Sequence, residues 1–136
     1  MPKGNNRGTI LIGSAEAEVK SSLVDFVGAA FDKQVLGVTE TSDLLLEAID
    51  NELELAIIDT NLKGLPIAKT IQILKKSKPQ VPVIVISDDY TVATGSRIME
   101  LGIFYYMYKP VDLENFKEII ESAFKKRARE VAKEGR

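Results

Sequence analysis

The chain of 136 residues contains no cysteine, no histidine and no tryptophan. Without cysteine there are no disulfides, thiolate ligands or thiol nucleophiles, and without histidine the commonest general base and transition-metal ligand are gone. Serine–histidine–aspartate hydrolysis and zinc chemistry are therefore excluded. The vocabulary left for chemistry is carboxylate, lysine, hydroxyl and a hard, oxygen-liking cation such as magnesium. A net charge of −2 gives no global pull toward nucleic acid. No apolar run approaches the roughly 18 residues of a membrane-crossing helix, so membrane insertion is not expected. Residues 1–8, largely polar, lack the apolar core of a secretory signal. They read as a loose, disordered tail, and the default compartment is the cytoplasm. The length suits one domain with one core.

What the chain does contain is an alternation of short apolar runs and amphipathic stretches. Thr9–Ile12, bounded by Gly8 and Gly13, reads as a buried strand, with Ser14 suited to cap a helix. From Glu16 onward Val19, Leu23, Phe26, Val27, Ala30 and Phe31 recur at helical spacing. Gln34–Thr39 reads as a strand, and Thr41-Ser42-Asp43 as a capping cluster before the stripe Leu44, Leu45, Ala48 and Ile49. Leu55–Ile58 is a third strand ending at Asp59. Ile67, Ile71 and Leu74 share a helical face that must stop before Pro79. Val81–Ile86 is a fourth strand, residues 91–101 a helix stopped by Gly102, and Ile103–Tyr108 a fifth strand. A last helix runs from Val111 to about Lys133, with Leu113, Phe116, Ile119, Ile120, Ala123 and Phe124 on its apolar face.

Five strands alternating with helices predict an α/β fold: a five-stranded parallel sheet with helices on both faces, flavodoxin-like, and right-handed crossovers. In such folds chemistry gathers at the carboxyl ends of the strands. At that edge stand Ser14, Ala15 and Glu16 after the first strand, Asp59 at the end of the third, Ser87-Asp88-Asp89 after the fourth and Lys109-Pro110 after the fifth. A carboxylate, a hydroxyl and a lysine are thus predicted to share one pocket. Taken singly, Asp59 suits a turn, Lys109 a solvated loop and Ser87 a helix cap.

In register and order, Asp59, Ser87 and Lys109-Pro110, with Gly102 before the fifth strand, resemble the receiver domain of two-component response regulators over about Thr9–Lys126. The resemblance implies that Asp59 occupies the phosphoacceptor position, with Ser87 and Lys109 neutralising phosphoryl oxygens. It places Tyr106 at the switch aromatic and the backbone carbonyl of Asn61 in the metal shell. Any enzymatic activity is at most self-catalysed aspartyl phosphorylation and dephosphorylation.

One departure bears on function. Receivers of the usual pattern end their first strand with two acids that hold magnesium, and here those positions are Ser14 and Ala15. A carboxylate ~4 Å from a divalent ion contributes about 8 kcal/mol of gross attraction at an effective dielectric of about 20. A net loss of only about 1.4 kcal/mol per missing acid is tenfold in affinity. No cofactor, or at most weakly bound magnesium held by Asp59, the Asn61 carbonyl and Glu16, is the expectation. Glu16 and Asp88-Asp89 otherwise read as acids of helix starts. Asp59 and Lys109 are expected to form a standing ion pair that holds the aspartate away from a phosphoryl donor.

The expected function is that of a receiver-like signalling module in two-component phosphorelay signal transduction, with a degenerate magnesium site and acting by protein contact. A histidine kinase or other signalling protein is one expected partner. A downstream protein target is expected on the face of the fourth helix, fifth strand and fifth helix, and a homodimer remains open. The alternatives are a conventional phosphoacceptor, phosphorylated on Asp59 by a histidine kinase, and a flavodoxin-like binder of a small ligand. The latter lacks a glycine-rich phosphate cradle after its first strand. Residues 127–136 read as a basic helical extension of the 9–126 domain. Interleaved Glu130 and Glu134, and the absence of an aromatic platform, speak against direct nucleic-acid binding.

Overall fold

Strands buried on both faces require unbroken apolar runs, and the three most apolar runs of the chain occupy the middle of the sheet. The computed structural model describes residues 8–134. Its elements alternate as β1 (Thr9–Gly13), α1 (Ala17–Ala30), β2 (Gln34–Val38), α2 (Thr41–Asp50), β3 (Leu53–Asp59), α3 (Ile67–Ser77), β4 (Val83–Ser87), α4 (Val92–Met99), β5 (Tyr105–Tyr108) and α5 (Leu113–Glu134). All strand pairs are parallel, in the order β2-β1-β3-β4-β5. Every residue of β1 and β4 is buried, whereas the edge strands β2 and β5 are partly exposed.

The two-residue period of the strands sorts the core into two layers. Ile10, Ile12, Leu55, Ile57, Ile84 and Ile86 pack against Leu23 and Val27 of α1 and Phe116, Ile119, Ile120 and Ala123 of α5. Leu11, Ala56, Ile58, Val83 and Val85 face Leu44 and Ala48 of α2, Ile71 and Leu74 of α3 and Ile98 of α4. Each fully buried aliphatic side chain contributes about 1.5–3 kcal/mol of transfer free energy. With both layers filled, the carboxyl ends of β1, β3, β4 and β5 are fixed side by side.

Several local expectations need correction. Ile49, assigned to the apolar stripe of α2, is 63% exposed, and Leu113, in the first turn of α5, is exposed too. β4 begins at Val83 rather than Val81, and β5 at Tyr105 rather than Ile103. Ahead of β5, Gly102 at φ +84° turns the chain, and the Phe104 amide donates to the Val83 carbonyl. Thr41 does not cap α2 with its side chain; its Oγ1 accepts from the Leu65 amide and holds the β3–α3 loop, while Gly64 at φ +116° lies against it.

The tail assigned to 1–8 lies outside the described residues except for Gly8, which is buried just ahead of β1, its carbonyl accepting from the Gln34 amide. α5 crosses residue 126 without a break, and Arg127 approaches Glu54 to 3.9 Å; residues 135 and 136 of the basic extension lie outside the described residues. Among the described residues no helix is long and apolar enough to cross a membrane.

Candidate functional site: the Asp59 cluster

Asp59 ends β3 with its side chain fully buried, because the neighbouring strands β1 and β4 flank it and the loops after β1 and β5 close over it. A carboxylate so placed must be paired and hydrogen-bonded. Its Oδ2 accepts from the Ser14 hydroxyl at 2.8 Å and pairs with the Lys109 ammonium at 2.7 Å. Its Oδ1 accepts from the Asn61 amide at 3.2 Å. Both oxygens are therefore engaged from within the chain.

Ser14 is drawn inward rather than used as a conventional helix cap. Fully buried, it donates to Asp59 and accepts from the Glu16 amide at 3.1 Å. Ala15 offers only its backbone, whose amide donates to Asn61 Oδ1 at 3.2 Å. Glu16 precedes the first residue of α1 but makes no side-chain cap; its Oε1 lies 2.8 Å from Lys109 Nζ. The acid read from the sequence as belonging to a helix start is thus a partner of the lysine.

Lys109 sits between two carboxylates, with its side chain 13% exposed. Burial pulls its pKa down, but hydrogen bonds to Asp59 and Glu16, together with their charges, outweigh that and leave it above the ordinary lysine value. The peptide bond to Pro110 is cis, and the Lys109 amide donates to the Ser87 carbonyl.

Ser87 is buried, and its hydroxyl accepts from the Asp89 amide at 2.9 Å and from Thr60 Oγ1 at 3.2 Å. It joins the cluster one link removed, through the neighbour of Asp59. Asp89 accepts from the amide and the hydroxyl of Thr91, and these bonds, the amide's first, hold its carboxyl below the usual range.

On β5, Tyr106 is half-buried beside Gly95, and its hydroxyl donates to the Asp89 carbonyl at 3.3 Å. Tyr108 packs edge-on against both Tyr106 and Tyr90, and the Tyr90 hydroxyl donates to the Lys109 carbonyl. The loop after β4 is thereby tied to β5 by two tyrosines.

This geometry agrees with a comparison of the whole chain against known families, in which residues 16–121 match the model of the response regulator receiver domain. The chain belongs to that receiver domain family. Receivers of known structure share its fold. The CheY-like receiver from Methanospirillum hungatei JF-1 superposes with a TM-score of 0.85 at 17% identity, covering 92% of this chain and 99% of that one. The beryllofluoride-activated NtrC4 receiver domain dimer gives 0.81 at 19% identity, with coverage of 88% and 98%. Among curated relatives, the DNA-binding transcriptional regulator NtrC of Azospirillum brasilense is 27% identical over 115 residues. That match takes in 85% of this chain but only 24% of the relative, so the receiver spans about a quarter of the regulator it resembles.

Within the receiver, Asp59 and Glu16 both contact Lys109, Asn61 joins through its amide, and Ser87 and Tyr106 stand nearby at the end of β4 and on β5. Sequence reasoning missed the Ser14 hydroxyl, the Asn61 side chain and Tyr90. For Ser14 the available signal was its position: a small polar residue at the end of a strand adjacent to that of Asp59 points at it.

Proposed function

We propose that this receiver domain works in two-component phosphorelay signalling through protein contacts, with a degenerate magnesium site. The observation that carries the reading is the state of Asp59: both of its oxygens are taken by Ser14, Lys109 and Asn61. The residues that would hold magnesium fit it poorly. Asp59 and Glu16 both face the Lys109 ammonium, so a cation would have to displace that ammonium or share its carboxylates. Ala15 carries no donor atom in its side chain, and among the described residues no three acidic side chains are grouped as a metal cage. Lys109 supplies the neutralising positive charge instead.

A histidine kinase or another signalling protein is the proposed partner at the Asp59 end, in the cytoplasm. A downstream protein is the proposed partner on α4, β5 and α5, where Met99, Tyr105 and Tyr108 are exposed. The DNA binding in the name of the regulator from Azospirillum brasilense is said of that larger protein, and direct nucleic-acid binding is not part of this proposal.

Incubation with acetyl phosphate and magnesium, followed by intact mass measurement, tests the reading. No phosphoryl adduct is expected. An adduct that disappears in Asp59→Asn would establish the second reading, a conventional phosphoacceptor. That reading is favoured by one observation, the placing of Asp59 and Lys109 side by side in a family that phosphorylates its aspartate.

A further inference from the structure

At the amino edge of the sheet, opposite Asp59, the ends of α3 and α5 and the turn before β5 border a cleft of about 60 Å³. Three cations and one acid line it: Lys75, Lys126, Arg127 and Glu130. Their mutual compensation is incomplete. Arg127 Nε is buried and finds no hydrogen-bond partner among the described residues. The nearest acid to that guanidinium is Glu54 at 3.9 Å, too far for a hydrogen bond, and Glu54 is closed by Lys33 at 2.7 Å. Lys126 and Glu130 are 3.8 Å apart, and Lys75 donates to the Pro79 carbonyl at 3.5 Å and feels the charge of Glu130. Burial, and then the charge of Lys126, hold the Lys75 ammonium below its ordinary pKa. Gly102 adds room, since a Cβ there would meet nothing within 4 Å.

Buried donors are ordinarily satisfied, and a lining of three cations against one acid, with the ion pairs to Glu54 and Glu130 no closer than 3.8 Å, leaves the cleft positive. We propose that this cleft binds a phosphoryl dianion, either inorganic phosphate or the phosphate of a monoester. A positive lining favours an anion of more than one charge, and the planar fork of Arg127 matches tetrahedral oxygens better than a lone ammonium does. The site uses no residue of the Asp59 cluster, so it stands or falls apart from the proposed function.

Titration of the full chain with inorganic phosphate, followed by amide and guanidinium NMR and compared with chloride at equal ionic strength, tests it. Saturable shifts of Gly102, Ile103 and the Arg127 Nε–H are expected, in the millimolar range. Lys126→Gln and Lys75→Gln, on separate helices, should each weaken binding about tenfold while the fold is retained. A phosphomonoester binding more tightly than phosphate would identify a tethered group as the ligand, and equal binding the free ion. Shifts that track chloride, or variants that bind phosphate like the unaltered chain, would overturn the proposal.

Discussion

The Lys109 ammonium lies 2.7 Å from Oδ2 of Asp59, a carboxylate with no exposure to solvent. Removing one member of such a pair leaves an uncompensated charge, which is costlier than never having built the pair. Lys109→Met is therefore expected to destabilise the domain by about 3 kcal/mol in urea unfolding. Combined with Asp59→Asn, the loss should shrink well below the sum of the two single changes, because the neutral amide no longer needs the ammonium. Additive losses would mean that the pair is not coupled.

The same pair sets an alkaline limit. Lys109 has a folded pKa raised above the ordinary value of 10.5, so its contribution to stability is complete below that value. As pH climbs through the folded pKa the contribution is lost. Urea unfolding of the unaltered chain against Lys109→Gln should show a stability difference that is flat through neutral pH and closes only at strongly alkaline pH. Closure already at neutral pH would contradict the assignment.

Restoring acids to the end of β1 should restore the ion. In Ser14→Asp/Ala15→Asp, magnesium binding monitored by tyrosine fluorescence is expected to tighten by about tenfold for each acid. Labelling of Asp59 by acetyl phosphate should appear with it. If the unaltered chain already binds magnesium as tightly as the double variant, the proposed degeneracy fails.

Gly64 holds φ +116°, and a Cβ there would collide with the Thr41 hydroxyl that anchors the Leu65 amide. Gly64→Ala should cost about 1–3 kcal/mol, read as a lowered thermal midpoint. The neighbouring change Leu65→Ala removes a half-exposed side chain and should cost much less.

The tyrosine tie on the loop after β4 is smaller in energy. Tyr90→Phe deletes the bond to the Lys109 carbonyl, with an expected loss of about 1 kcal/mol. Amide hydrogen exchange at Asp89 and Thr91 should quicken while the core amides of β4 keep their protection.

Much of this molecule follows from local patterning. The apolar runs of β1, β3 and β4 and the helical stripes of α1, α3 and α5 determine a parallel sheet wrapped on both faces, because no other arrangement buries them with their backbone groups paired. That topology alone carries Asp59, Ser87 and Lys109 to one edge. It is the resemblance to receivers, not the topology, that implies acids at the positions of Ser14 and Ala15. What the one-dimensional pattern leaves undecided is which way a short polar side chain turns. Ser14, Thr41 and Ser87 each have the chemistry of a helix cap, and each takes a different partner: Asp59, the Leu65 amide, and Thr60 with the Asp89 amide. Glu16 likewise leaves its helix start for Lys109, 93 positions away along the chain. Hydrogen bonds and ion pairs act over about 3–4 Å, and only the folded chain sets which of these groups come within that reach.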